Sequence, residues 1–404
     1  MRVLLAHNSY LQPGGEDVAF EADATLLRDH GHEVRLFRVR NEQAASMGRP
    51  ALALATLWNR QTAAAIRDVM VDWRPNILHL HNTFPLLSPS VVGTARSCGI
   101  PVVQTLHNYR LLCPNAQMFR DSRSCTDCVG RAFAWPAVMH RCYRESSSAS
   151  AIAAISILEQ GLMRRWNRSA DLFTVLTDGA RRRYIDAGFE SERIAVRPNF
   201  LASDPGTGTA AGGYALFAGR LAPEKGVGTL LEAWSGHTDL PPLVICGDGP
   251  LRAAVETTTH SNPRVTHLGW QDRSVVIDKL KAAAMLAVPS LWSEGMPQII
   301  VESLAVGTPV VASRLGAMAE MIDHGVTGLL FDPGDATDLA RTIRQAIAEP
   351  DRLRFMRSDA RHVFEHRYSA ARNHELLMEI YATASRFSRT SGRVRLSLIE
   401  DSPA

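Results

Sequence analysis

Short apolar, β-branched runs alternate with stretches of helical periodicity along almost the whole chain. Val3–Ala6 is an apolar run that stops at the turn Pro13-Gly14-Gly15, and a helical pattern follows from Glu16 to His30. Gly31 ends that helix and Val34–Val39 is the next strand; Asn76–Leu80 and Val102–Leu106 follow, each after a proline-containing turn. Leu172–Thr177 is a further strand. Strands separated by helical segments predict βαβ units and a parallel sheet. The rhythm restarts after residue 213: Tyr214–Ala218, Leu243–Cys246, Val265–Leu268, Met285–Val288 and Val310–Ala312 each precede a turn and a helical segment. Arg354–Arg386 reads as mostly helix, and the tail from Thr390 as loose.

Two stretches lack period. Residues 108–150 are rich in Cys, Arg, Ser and aromatic residues and read as an irregular insertion with short helices. Residues 199–213 contain the small, glycine-rich run Ser203-Asp-Pro-Gly-Thr-Gly-Thr-Ala-Ala-Gly-Gly213, which reads as a linker. The expected organisation is a first α/β domain over 1–198, the linker, a second α/β domain over 214–370, and a C-terminal helix and tail over 371–404.

Composition sharpens this. The chain has 404 residues, 46% of them apolar and 21% charged, enough for more than one buried core. The net charge of +3 is too small to make nucleic acid a main partner. The N-terminal apolar run is too short for a signal peptide, and no run approaches the roughly twenty apolar residues of a membrane span. A cytoplasmic location with reduced cysteines follows as the expectation.

The charged motifs stand just after strands, where parallel sheets bind ligands. Phe217-Ala-Gly219-Arg220-Leu-Ala-Pro-Glu224-Lys225-Gly226 ends a strand and carries two cations between glycines, which suits a diphosphate. Pro289-Ser-Leu-Trp-Ser-Glu294-Gly295-Met296-Pro297-Gln-Ile-Ile-Val-Glu302 opens a helix with Pro297 at its first position; the free N–H groups there favour a phosphate, flanked by two carboxylates. The bland alternatives are solvated cations and an acidic residue complementing the helix dipole; the latter leaves Glu302, set in an apolar context, unexplained. His81 and His107 each end a strand in a Leu-His-Asn context.

Four motifs in this order resemble the GT4 family of retaining glycosyltransferases. They are the Gly-Gly-Glu turn, the segment HLHNTFPLLSP…PVVQTLHNYRLLCPN, Gly-Arg…Glu-Lys-Gly, and two glutamates separated by seven residues. The second of these is similar to members that build bacterial surface polysaccharides. The resemblance runs from Val3 to about Arg386. It implies the GT-B fold, two Rossmann-like domains facing across a cleft, and transfer of a hexose from a nucleotide-diphosphate sugar to a glycan or lipid-linked acceptor with retention. It also implies roles. Arg220 and Lys225 hold the diphosphate, Glu294 contacts the hexose, and Glu302 takes the ribose hydroxyls. Gly295, Met296 and Pro297 belong to the donor loop. Gly14 and Gly15 let the backbone approach the phosphates or the acceptor. His107 matches the histidine beside the transferred sugar, with His81 on the acceptor side or behind it. No catalytic metal is implied. Glu294-Gly-Met-Pro departs from the Gly-Phe-Gly that follows this glutamate in many relatives, so the donor sugar stays open. Other GT-B activities, an epimerase or a phosphorylase, and a non-catalytic nucleotide-sugar binder are the alternatives.

Two features lie outside the motifs. Arg164, Arg165, Arg168 and Arg181–Arg183, with Trp166, Trp135 and Phe133, suit peripheral contact with an anionic membrane face. Cys113, Cys125, Cys128 and Cys142, spaced C-x11-C-x2-C-x13-C, are a candidate structural zinc set, with unligated thiols and disulfides as rivals.

Overall fold

The computed structural model describes residues 1–11, 14–121, 123–162 and 170–400, with side chains omitted at 159–162 and 390–400. The chain divides into two compact units.

The first comprises Met1–Gln117, Thr126–Pro198 and Asn373–Ala404. Its sheet contains β1 (Arg2–Ser9), β2 (Glu33–Arg40), β3 (Ile77–Leu80), β4 (Val102–Leu106), β7 (Leu172–Val175) and β8 (Ile194–Val196) in the order β2-β1-β3-β4-β7-β8, all parallel. β1, β3, β4 and β7 are buried along nearly their whole length, which is why they read as mostly apolar runs. The helix Gly15–Asp29 starts at Gly14, whose N–H donates to Asp17 Oδ2 at 2.9 Å, and buries Phe20, Asp23, Ala24, Leu26 and Leu27. The irregular stretch holds a short helix, Trp135–Met139.

The second unit comprises Met118–Cys125 and Asn199–Arg372. It includes a two-stranded antiparallel ribbon, β5 (Phe119–Arg120) and β6 (Arg123–Ser124). Its sheet contains β9 (Ala215–Ala218), β10 (Leu243–Cys246), β11 (Val265–His267), β12 (Met285–Val288), β13 (Val310–Ser313) and β14 (Gly328–Phe331) in the order β11-β10-β9-β12-β13-β14, again all parallel. Trp234, Leu243, Ile245, Met285, Phe331, Leu339 and Ile343 centre its core.

Three details differ from the sequence reading. The stretch 199–213 is not a free linker. Gly208 N–H donates to Val306 O, Ala210 N–H to Lys281 O and Gly212 N–H to Ala282 O at 2.8–3.0 Å, and Arg361 pairs with Asp204, so this backbone is fixed to the second unit. The final helix runs over Ala370–Glu400, past the point where the pattern faded near Arg386, and residues 373 onward return to the first unit. The strands β8 and β14 were not anticipated. Each is only three or four residues long, too short to show a period.

Candidate active site

In each unit the strand order reverses beside its first strand, and the chemically distinctive residues stand at that reversal. In an open α/β sheet the two loops leaving such neighbouring strands diverge and leave a crevice beyond their carboxyl ends.

In the second unit the reversal lies between β9 and β12. The loop after β9 carries Arg220 and Lys225; the loop after β12 carries Ser290 and Glu294. Lys225 Nζ donates to Glu294 Oε2 at 2.7 Å, and Ser290 Oγ donates to Glu294 Oε1 at 2.5 Å. Glu294 is 6% exposed, so its two oxygens are fixed by one cation and one hydroxyl in a largely dry setting. The loops can approach this closely because Gly226 sits at φ +71 and opens the helix Val227–Gly236; a Cβ there would lie 1.7 Å from Pro289 O. Gly247, after β10, meets Gly219 O in the same way, a Cβ falling at 1.9 Å. Glycines thus join three strand-end loops into one floor.

Pro297 is the residue just before the helix Gln298–Ala305, one position earlier than the sequence suggested. Met296 is buried, and Asn199 Nδ2 donates to its carbonyl at 3.1 Å. Among the described residues the N–H groups of Gly295 and Met296 have no acceptor. Glu302 is buried in that helix and paired with the half-exposed Arg273, Nε to Oε1, at 2.8 Å. Burial raises the Glu302 pKa against the opposing pull of Arg273. Arg220 is 57% exposed and pairs with Glu224 on its own loop instead of joining the Lys225–Glu294 group. A phosphate group would have to draw it away from that partner.

In the first unit the reversal lies between β1 and β3. His7, Asn8, His81 and Asn82 end those strands, with His107 after β4. His7 Nε2 donates to Asp17 Oδ1 at 3.0 Å, and His7 Nδ1 accepts from the Asn82 backbone at 3.3 Å. Glu16 accepts from Tyr10 Oη at 3.0 Å and from Asn108 Nδ2; burial raises its pKa although both hydrogen bonds oppose the rise. Glu16, Asn82, His107, Asn108 and Arg110 line an open recess. Neither Gly14 nor Gly15 adopts a positive φ, and a Cβ on Gly15 would meet nothing within 4 Å, so local geometry does not require either glycine. Open space does remain beside Gly15.

His81 is buried at the base of the same recess, behind His107. Its Nδ1 lies 3.0 Å from His107 Nε2 and its Nε2 lies 3.3 Å from Asp23 Oδ2. Asp23 is itself held by both terminal nitrogens of Arg197. Burial disfavours its charge, yet the Arg197 guanidinium overrides burial and holds the carboxyl well below the usual range. His79, behind them, commits Nδ1 to Tyr381 Oη at 2.9 Å and Nε2 to Thr105 Oγ1 at 2.8 Å. Ligand atoms of Asp23, His79 and His81 lie within 4.8 Å of one another; the His79 nitrogens and the Asp23 oxygens are committed to these bonds, while His81 Nε2 has no hydrogen-bond partner.

That triad is the one such cluster among the described residues. Of the candidate zinc ligands Cys113, Cys125, Cys128 and Cys142, Cys125 falls in the second unit and the other three in the first. None is in a disulfide, and Cys113 Sγ lies 2.9 Å from Asn115 Oδ1. Sequence reasoning missed Ser290, Arg273, Asp23 and Arg197. Only Asp23 left a trace, as an acid on the apolar face of its helix between Phe20 and Ala24.

Known proteins share both halves of this arrangement. Residues 14–199 match the family model described as a glycosyl transferase 4-like domain, and residues 212–349 match that described as glycosyl transferases group 1. The chain is a GT-B glycosyltransferase. TuaC of Bacillus subtilis (strain 168), named for teichuronic acid biosynthesis, is 27% identical to this glycosyltransferase over 82% of its chain and 77% of TuaC. The alpha-D-kanosaminyltransferase of Streptomyces kanamyceticus is 23% identical over 71% of this chain and 72% of that one. Anabaena Alr3699/HepE, solved in complex with UDP, superposes with a TM-score of 0.68 at 18% identity over 95% of this enzyme and 100% of that chain. The lipopolysaccharide outer core galactosyltransferase WaaB superposes at 0.63, 16% identical, over 96% and 100%. Among the described residues no helix is long and apolar enough to cross a membrane.

Proposed function

We propose that this enzyme moves a hexose from a nucleoside-diphosphate sugar to a glycan or lipid-linked acceptor of a surface polysaccharide, with retention, as a GT4 enzyme. The observation that carries the reading is the Lys225–Glu294–Ser290 group at the strand reversal of the second unit. A cation 2.7 Å from a buried carboxylate is poised to exchange that partner for a phosphate oxygen. The freed carboxylate then accepts from sugar hydroxyls. The unpaired N–H groups of Gly295 and Met296, just before a helix, suit the departing diphosphate.

In this reading Lys225 and Arg220 stabilise charge on the leaving diphosphate, Glu294 orients the hexose, and Glu302 receives the ribose hydroxyls. His107 contacts the transferred sugar. The chemical step is loss of the nucleoside diphosphate with oxocarbenium character at the anomeric carbon. The attacking acceptor hydroxyl passes its proton to the leaving phosphate on the same face. Those roles use protein cations and N–H groups, so transfer proceeds without an added divalent ion. Teichuronic acid and lipopolysaccharide, named for TuaC and WaaB, support the acceptor class, and the UDP bound to the Anabaena protein supports the donor class.

Peripheral contact with an anionic membrane is part of the same reading. Trp135 and Met139 on the short helix are 50% and 71% exposed, and the Arg131 guanidinium lies 5.3 Å from the Trp135 ring. Arg164, Arg165, Trp166 and Arg168 lie outside the described residues. Arg181 spends its guanidinium on Ile194 O and Ser191 O, so it adds little to a lipid-facing charge. Donor consumption decides the function. With UDP-glucose and related donors, consumption should require a crude lipid or glycan extract and vanish in Glu294→Gln. Consumption without acceptor would point to an epimerase, and binding without turnover to a non-catalytic protein.

A further inference from the structure

We propose that Asp23 and His81 form a tautomer relay that holds His107 with its ring proton on Nε2, leaving Nδ1 as a hydrogen-bond acceptor for a sugar hydroxyl. The inference rests on the reading of His107 as a sugar contact. Its structural half stands on geometry alone.

The direction of each hydrogen bond follows from one fixed end. Asp23 is a buried carboxylate bound by both terminal nitrogens of Arg197, so it can only accept. His81 Nε2 is buried 3.3 Å from Asp23 Oδ2 without a well-formed hydrogen bond to any group; a bare ring lone pair facing that carboxylate would be repelled, so the His81 proton belongs on Nε2. His81 Nδ1 then carries a lone pair. His107 Nε2, 3.0 Å away, must donate to it. The remaining nitrogen, His107 Nδ1, is left unprotonated and has no partner among the described residues. His107 is half-buried at the edge of the recess lined by Glu16, Asn82, Asn108 and Arg110, where a polyol can reach it. Burial pushes both ring pKa values down, so both imidazoles are neutral near neutral pH.

The arrangement is locked from behind. Phe20 packs edge-on against the His81 ring with centroids 5.3 Å apart, and His79 cannot compete for Asp23 because both its nitrogens are committed. Asp23 and His81 are therefore positioning residues that select which face of His107 chemistry the sugar meets.

Nitrogen-15 NMR of histidine-labelled full-length enzyme tests this directly. The expected spectrum at neutral pH shows protonated Nε2 and bare Nδ1 on both His81 and His107. A proton on His107 Nδ1 would overturn the relay. Asp23→Asn presents an amide donor to His81 Nε2 and should invert both tautomers. It should lower kcat by on the order of ten- to a hundredfold, leaving donor KM within about threefold. His81→Gln keeps one donor and one acceptor and should retain more activity than His81→Leu. Unchanged tautomers in the Asp23→Asn enzyme refute the coupling; if that variant does not fold, the wild-type spectrum decides. A His107→Ala enzyme with undiminished transfer refutes the sugar contact without touching the tautomer result.

Discussion

Gly226 is the narrowest point of the donor-side floor, and replacing it with alanine tests whether two loops must touch for the site to exist. Two penalties arise. The residue sits at φ +71, a left-handed conformation that costs an L-residue roughly 1–2 kcal/mol. The new Cβ would also stand 1.7 Å from Pro289 O, and reaching 3.0 Å requires the β9 or β12 loop to move by about 1.3 Å. The obstacle is backbone, which cannot rotate aside as a flexible side chain would. A combined loss of about 2–5 kcal/mol is expected, in the range of other backbone clashes. For a unit of this size each kcal/mol shifts Tm by roughly 2–4 °C, giving a fall of about 4–20 °C. Function should suffer further, because Lys225 adjoins the glycine and Glu294 lies on the displaced loop. Calorimetry gives the stability and donor titration the affinity. Gly228→Ala is the control: a Cβ there meets nothing within 4 Å, so it should be neutral or slightly stabilising. If Gly226→Ala behaves like Gly228→Ala in both assays, the close approach of the loops is not what builds the site.

Other outcomes follow from the same geometry. Lys225→Ala and Glu294→Gln should each reduce transfer by about a hundredfold or more while shifting Tm by only a few degrees, measured by product formation beside a melting curve. Glu302 keeps its proton to higher pH in the folded chain than in the unfolded one, so the folded state binds more protons between the two pKa values. Stability should therefore fall as pH rises from the ordinary carboxylate range through the raised pKa. Arg273→Ala should deepen that fall and Glu302→Gln abolish it, read from Tm across pH. Arg197→Leu leaves Asp23 charged and buried and should cost about 3–5 kcal/mol in denaturant melts, with the double variant Asp23→Leu, Arg197→Leu recovering part of the loss.

Most of the sheet was readable from sequence because buried parallel strands are mostly apolar runs, and β3, β4, β7 and β12 are buried at every position. Lys225, Glu294 and Glu302 were readable because charges at strand ends and in an apolar helix stretch contradict their surroundings. Their partners were not. Ser290 is an ordinary loop serine until Glu294 folds back on it, and Arg273 meets Glu302 across 29 positions. Arg197 meets Asp23 from 174 residues away, a distance at which no periodicity survives. His81 was legible as a strand-end histidine on the acceptor side or behind His107, but its neighbour Asp23 was not.

The last long helix carries a consequence for how the enzyme is made. Leu377, Ile380, Tyr381 and Ala384 are buried in the first unit, and Asn373 Nδ2 donates to Pro198 O at 2.8 Å. The ribosome therefore finishes residues 1–198 long before the segment that closes their core exists. At roughly 5–20 residues per second, synthesis from residue 199 to residue 384 takes about 10–40 s. Through that interval His79 lacks the tyrosine that satisfies its Nδ1, and the first sheet keeps an uncovered apolar face. The second unit, built almost wholly from one continuous stretch, has no such delay. Nascent chains should thus carry an incomplete first unit throughout synthesis of the second, and it is the early half of the sequence that waits on the late half, with chaperones having their longest opportunity on the part synthesised first.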